Sequence, residues 1–262
     1  MSNSDVRENF FYQYGTRSVF ESCKIELCKD SKVASIVRLK MHLERLRKGS
    51  EYYQLKLVNC EVLTKQIFLF LEQNSTQCDF ENDHYLRIIN SINGLEMFIL
   101  AFDLNSESFV SSCTFVGERE DPFVKSTNIN VSNAARRFAN EKGCYEALLI
   151  DNQGYLREGA WSNIFWIDKD YKWFTPKNRI LHGVTRSLVL DCLSLNNISC
   201  IMEDILLDQI IDKIDSAFIC NSLQGLIQLK RIDDFELPNH FNLNEFKVCF
   251  EKYQKSQMEN LC

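Results

Sequence analysis

Glu158-Gly159-Ala160-Trp161-Ser162-Asn163-Ile164-Phe165 is the stretch on which the fold turns. A carboxylate ends one apolar segment, a glycine permits close backbone approach, and an aromatic-rich strand resumes. Upstream, Ala134 to Lys142 predicts a helix stopped by Gly143. Glu146 to Ile150 predicts a buried strand, and Asn152-Gln153-Gly154 a turn. Tyr155 to Ile167 and Trp173 to Thr175 read as further strands. Gly183 then opens a helix with Val184-Thr185-Arg186 that continues through Leu188 to Leu195 on an apolar stripe. Ala217 to Cys220 and Leu226 to Ile232 are strands around a polar turn, and Leu243 to Leu261 reads as a terminal amphipathic helix.

The first half predicts a strand at Val19 to Leu27 and helices around Leu39 to Lys48 and Val62 to Glu72. It also predicts strands at Tyr85 to Ile92 and Met97 to Leu104, turning through Asn93-Gly94. Asn105 to Pro122, mostly polar and acidic, reads as a linker to which Phe109-Val110 and Phe115-Val116 could add a short strand. Strands and helices mix without strict βαβ alternation, which favours an α+β fold in two domains. The expected division is 1–120, a small N-terminal α+β domain including the linker, and 121–262, a larger C-terminal domain.

With 262 residues, 45% of them hydrophobic and 25% charged, the chain can bury a sizeable core and is a poor fit for long disorder. A net charge of -6 and scattered basic residues argue against a nucleic-acid partner. The eleven cysteines are odd in number, and several sit in apolar runs (Cys144, Cys192, Cys220, Cys249), so they read as reduced thiols of a cytoplasmic protein. No CxxC pair occurs and the four histidines lie far apart, so no metal site is expected. Met1 to Asn9 is polar rather than signal-like, and no apolar run approaches the roughly 18 residues a membrane span needs.

Four segments could carry chemistry. Lys125 follows Phe123-Val124; a lysine beside an apolar strand can be desolvated into a Schiff-base former, although a surface lysine reads the same way. Glu158, if buried beside a heteroaromatic nitrogen, would keep that nitrogen protonated, as an electron-sink cofactor requires; in solvent it would be a turn glutamate. Gly183-Val184-Thr185-Arg186 offers free backbone N–H groups and a hydroxyl at a helix N-terminus, suited to a phosphate or simply a cap. Cys220-Asn221-Ser222-Leu223-Gln224-Gly225 is either a second phosphate anchor or an ordinary turn.

In order and spacing these segments resemble the fold-type IV pyridoxal-phosphate enzymes, which include branched-chain and D-amino-acid aminotransferases and aminodeoxychorismate lyase. The resemblance is strongest over Lys125 to Ile232 and includes the 33-residue interval from Lys125 to Glu158. It extends upstream to Tyr14-Gly15 with Phe20-Glu21 and to His42-Leu43-Glu44-Arg45-Leu46. It implies a D-amino-acid aminotransferase-like architecture with pyridoxal 5'-phosphate in the cleft between two domains, and a homodimer. Lys125 would form the Schiff base and shuttle the substrate Cα proton, and Glu158 would pair with the pyridine nitrogen. Arg45, Val184, Thr185 and Ser222 would hold the phosphate, with Asn163 and His42 in support.

The same resemblance leaves the reaction open. Ser22, two residues after Phe20, and Cys220-Asn221-Ser222-Leu223 match the lyases, which makes 4-amino-4-deoxychorismate lyase, releasing 4-aminobenzoate and pyruvate on the folate route, the leading expectation. The tyrosine that branched-chain enzymes place after the lysine is replaced by Asn128-Ile129-Asn130. The Thr-Arg-Gly strand end of D-amino-acid enzymes is replaced by Ile89-Asn90-Ser91-Ile92. The alternative is an aminotransferase acting on a small or branched-chain amino acid, L or D, and the third reading is a non-catalytic relative. Arg17, Lys24 and Arg87 are the candidate cations for substrate carboxylates.

Overall fold

The computed structural model describes residues 10–27, 34–74, 83–107, 109–241 and 243–260. Their contacts separate into two compact units. The first comprises residues 1–105, 124–128 and 254–262; the second comprises 106–123 and 129–253.

In the first unit, strands β1 (Val19–Leu27), β2 (Ala34–Val37), β3 (Asp83–Ser91), β4 (Gly94–Phe102) and β14 (Met258–Asn260) form an antiparallel sheet in the order β14-β2-β1-β3-β4. Alternation fixes the faces of β1. Val19, Glu21, Cys23 and Ile25 are buried, while Ser22, Lys24 and Glu26 on the other face are only half-buried. Helix α1 (Leu39–Tyr52) turns Leu39, Leu43 and Leu46 into the core at helical spacing and α2 (Cys60–Gln73) adds Leu63, Ile67 and Leu71. Asn59 caps α2 by accepting from Val62 N at 3.0 Å. The β3–β4 ladder closes on Ser91 opposite Gly94, so its tip is Ile92-Asn93 rather than the expected Asn93-Gly94.

The second unit holds β5 (Phe109–Val116), β6 (Glu146–Ile150), β7 (Leu156–Gly159), β8 (Asn163–Asp168), β9 (Trp173–Thr175), β10 (Cys200–Met202), β11 (Ile214–Asn221), β12 (Gly225–Ile232) and β13 (Phe235–Glu236). They form one sheet in the order β10-β9-β8-β11-β12-β5-β6-β7, with β13 on β12. Helix α3 (Asn130–Glu141) packs on β5 and β6, and α4 (Val184–Leu195) on β11. A short helix α5 (Leu207–Ile210) and the longer α6 (Leu243–Ser256) complete it, and Phe246 of α6 meets Trp173 with ring centroids 4.9 Å apart.

Three expectations are corrected. The segment read as a linker contains β5, an interior strand parallel to both β12 and β6, because Val110 and Cys113 bury into the core. The terminal helix stops at Ser256, and the chain returns as β14 to satisfy the open edge of β2. By their contacts the two units change over after Asn105, with 124–128 and 254–262 grouped with the first unit. The single strand read over Tyr155 to Ile167 is two strands, broken at Ala160–Ser162 by the turn described next.

Candidate active site

In the second unit the Glu158 turn is built by close contact. Gly159 N donates to Ser162 O at 2.8 Å, and a Cβ on Gly159 would lie 2.1 Å from Ser162 Oγ and 3.0 Å from Glu146 Oε2. Only glycine fits. Beneath the turn, Glu146 Oε2 accepts from Ser162 Oγ at 2.8 Å. Burial pushes the Glu146 carboxyl above its ordinary range, against the hydrogen bond from Ser162.

Glu158 itself is buried, with 4% exposure, and its carboxylate meets donors on both oxygens. Oε1 accepts from Arg119 Nε at 2.9 Å and again from Arg119 Nη2; Oε2 accepts from Leu181 N at 2.9 Å and from Asn163 Nδ2 at 3.4 Å. Asn163 also donates to Leu181 O at 2.8 Å. A Cβ on Gly183 would lie 2.1 Å from Asn163 Oδ1, which explains a glycine at the head of α4. That helix starts without a side-chain cap. Its first N–H groups, at Val184 and Thr185, lie where Thr185 Oγ1 meets Ser222 Oγ at 3.2 Å. Asn221 Oδ1 shapes the adjoining turn by accepting from Leu223 N and Gln224 N at 3.0 and 2.8 Å.

The loop carrying Leu181 is braced from below. Buried Arg157 donates Nη2 to Asp151 Oδ2 at 2.7 Å and Nη1 to Asn178 O at 3.3 Å, and pairs with Asp204 at 3.1 Å. Arg186, buried on α4, donates to Pro176 O at 2.9 Å.

In the first unit Lys125 lies on a short segment paired with the start of β1: Phe20 N donates to Lys125 O at 3.0 Å and Thr127 N to Ser18 O at 2.8 Å. The Lys125 ammonium sits 4.7 Å from the centroid of the Phe20 ring. Cross-strand pairing places Ser22 opposite Arg87, so both side chains and Phe20 share one face of the sheet. The Arg87 guanidinium lies 4.8 Å from the ring centroids of Phe11 and Phe20 and 5.2 Å from that of Tyr85. Its Nη2 donates to Tyr85 Oη at 3.1 Å, while Nε and Nη1 are buried with no hydrogen-bond partner. Burial lowers its pKa from the usual arginine range.

On the opposite face, Glu21 takes both edges of a buried cluster. Arg45 donates Nε and Nη2 to its two oxygens at 2.7 Å each, and His42 Nδ1 lies 2.7 Å from Oε2. Burial opposes ionisation of Glu21, but the Arg45 charge and hydrogen bonds, with His42, overcome it and bring the pKa down to about 2. Arg45, expected to grip a phosphate, therefore has its Nε–Nη2 edge committed to Glu21. Glu21, Cys23 and His42 bring ligand atoms within 4.8 Å of one another, but a metal ion there would face the guanidinium that already holds Glu21. Lys24 is engaged by Glu26 and Asp83 at 3.1 Å each, and Arg17 is exposed.

Sequence reasoning missed Arg119, Glu146 and the anchoring role of Glu21. Glu21 carried a signal, a carboxylate on the otherwise apolar face of β1, whereas Arg119 lies in the charge run Glu118-Arg119-Glu120-Asp121 and carried none.

The sequence model of the family "Amino-transferase class IV" matches residues 18–232. The chain therefore belongs to the class IV aminotransferases, a class of pyridoxal-phosphate-dependent transaminases and lyases. A probable branched-chain-amino-acid aminotransferase of Rickettsia bellii is 26% identical over 224 residues, 78% of this chain and 75% of that protein. The branched-chain aminotransferase of Thermobaculum terrenum in its pyridoxal-phosphate form shares the fold with a TM-score of 0.80 at 17% identity, covering 96% of this chain and 92% of that one. A candidate 4-amino-4-deoxychorismate lyase from Legionella pneumophila does so with a TM-score of 0.76 at 18% identity, covering 91% of each chain.

The second unit fits the cofactor of this class. An uncapped helix N-terminus with two hydroxyls beside it suits a phosphate, and a buried carboxylate that accepts on both oxygens suits a protonated ring nitrogen. Among the described residues no helix is long and apolar enough to cross a membrane.

Proposed function

We propose that this chain is a pyridoxal 5'-phosphate-dependent aminotransferase acting on a small or branched-chain amino acid. The observation that carries this reading over the lyase is Arg87. An amino acid with an apolar side chain presents one carboxylate, and Arg87 offers two buried, unpartnered N–H groups among Phe11, Phe20 and Tyr85. Aminodeoxychorismate carries two carboxylates. Of the three cations expected to read them, Lys24 is held by Glu26 and Asp83 and Arg17 is exposed. The relatives named as branched-chain aminotransferases support the same ordering.

In this reading the cofactor supplies an electron sink for the carbanion at the substrate Cα. Lys125 would hold the cofactor covalently and then move the substrate Cα proton as base and acid. Glu158 would accept a hydrogen bond from the ring nitrogen and keep that nitrogen protonated. The N–H groups of Val184 and Thr185, with the Thr185 and Ser222 hydroxyls, bind the phosphate, and Asn163 orients Glu158. Arg45 adds positive charge to the phosphate's surroundings, steadied by Glu21 and His42. Arg87 reads the substrate carboxylate, and Ser22 lies opposite it on the neighbouring strand, where a lyase would use the hydroxyl as donor. Resemblance to the family further supports a cytoplasmic protein that assembles as a homodimer; molar mass by light scattering would test the dimer.

The deciding experiment supplies the loaded protein with L-leucine, L-valine or D-alanine and no acceptor, and in parallel with 4-amino-4-deoxychorismate, using Lys125→Ala as the blank. Conversion of the cofactor to its amine form by an amino acid is expected. Release of pyruvate and 4-aminobenzoate without that conversion would overturn the aminotransferase in favour of the lyase.

A further inference from the structure

Arg119 makes the closest approach to Glu158 of any cation in the second unit's described contacts, and nothing in the reaction as assigned uses it. Its Nε and Nη2 both reach Oε1, its Nη2 also donates to Pro122 O, and its side chain is only 14% exposed. The loop that carries it is pinned at its start, where Gly117 N donates to Ile150 O at 2.9 Å. Neighbouring Glu118 turns away to pair with Arg179. One of four acidic or basic residues in a row is thus drawn inward while the next faces solvent, so the Arg119 contact is built rather than incidental.

The division of donors gives the contact a meaning. A carboxylate has about four acceptor positions. Arg119 makes both its contacts on Oε1; on Oε2, Leu181 N donates at 2.9 Å and Asn163 Nδ2 more weakly at 3.4 Å. Any further N–H donor is accommodated most easily on Oε2, by loosening Asn163, whereas Oε1 would require breaking a charge-assisted fork.

We propose that Arg119 is the positioning residue for Glu158: by taking Oε1 and fixing the carboxylate plane, it commits Oε2 to the cofactor's ring nitrogen. This rests on the cofactor reading above and not on the choice between transaminase and lyase. Arg119→Met should weaken equilibrium binding of pyridoxal 5'-phosphate, followed by fluorescence quenching, by about tenfold, the scale of a lost charge-assisted hydrogen bond. In a Glu158→Gln background the same substitution should add less than about twofold, because the effect is transmitted through the carboxylate.

A second readout is the pH midpoint of the visible absorbance of the lysine-bound cofactor. A positive ring nitrogen disfavours a second positive charge nearby, so a misplaced Glu158 should move the midpoint upward in Arg119→Met and in Glu158→Gln alike. Arg119→Lys keeps the charge without the fork and should shift the midpoint in the same direction; it carries the test if the methionine variant does not fold. Wild-type affinity and midpoint in a folded Arg119 variant, or full additivity with Glu158→Gln, would overturn the proposal while leaving the aminotransferase reading intact. Failure of the wild type to take up the cofactor would overturn both.

Discussion

The two units treat their buried charges in opposite ways. Around Glu158 in the second unit both carboxylate oxygens are occupied by donors, and the loop that supplies Leu181 N is itself held by Arg157 and Arg186. On the face of the first unit's sheet that carries Phe20 and Ser22, Arg87 is stacked among aromatic rings with its Nε and Nη1 unmet. A satisfied network is rigid and specifies one geometry; an unsatisfied donor retains its desolvation cost until a ligand arrives. Under the proposed function the contrast fits a resident cofactor, which benefits from a preformed cradle, set against a transient substrate, whose carboxylate would be the missing acceptor.

Arg157→Leu is the strongest way to break this contrast. Asp151, with 4% exposure, would be left without its cation, and Asp204 would lose a partner while still accepting from Lys177 N and Asn178 N. Removing one member of such a buried pair costs about 3–5 kcal/mol. Denaturant unfolding should show that loss. A loss below about 1 kcal/mol would mean that the loop holds itself, and that the preformed cradle owes nothing to the brace.

Arg87→Leu sharpens the other side. Because two unmet N–H groups leave the core with the side chain, folding stability should hold or rise. The KM for the amino donor should increase by roughly 10–100-fold, the equivalent of one charge-assisted contact. Stability that holds or rises while affinity for the donor falls is the signature of a group kept for ligand. Unchanged KM would remove Arg87 from the substrate site and return the carboxylate to Arg17.

These same residues show what a sequence can disclose. Alternation gave β1 its bounds, and Glu146 to Ile150 matched β6, because both are short strands whose pattern is set by burial. β5 was obscured because its flanks are acidic and its partners, β12 and β6, lie far along the chain. β2 and β14, four and three residues long, are defined by pairing, β2 with β1 and β14 with β2, rather than by any pattern of their own. Lys125, Glu158 and Gly183 were singled out as candidates by motif order. Arg119 was not, since a charge run records neither which member turns inward nor which distant carboxylate receives it. Arg87 was visible as a cation, but its unmet donors are a property of packing by Phe11, Phe20 and Tyr85.

Two buried carboxyls extend the comparison to acid and base. Glu21 in the first unit has its pKa brought down to about 2 against an ordinary 4.5, with burial outweighed by Arg45 and His42. Glu146 in the second has its pKa raised, burial dominating over Ser162. For Glu21 the unfolded chain binds the proton first, so its contribution is complete above about pH 4.5 and falls by about 1.4 kcal/mol per pH unit below it. His42, its pKa lowered by burial, adds to the loss as pH drops below about 6.5, where an unfolded histidine charges. For Glu146 the folded chain holds the proton longer, so its contribution is complete below about pH 4.5 and is lost as pH rises through its raised pKa. Urea midpoints from about pH 3 to 8 should therefore respond in opposite senses. Glu146→Gln keeps a hydrogen-bonding partner for Ser162 and should flatten the alkaline decline, while Glu21→Gln should flatten the acid decline and lower stability at neutral pH by stranding Arg45. An alkaline decline that persists unchanged in Glu146→Gln would show that Glu146 is ionised in the fold, with the Arg136 charge and the hydrogen bonds from Ser162, Ala147 N and Trp161 N outweighing its burial.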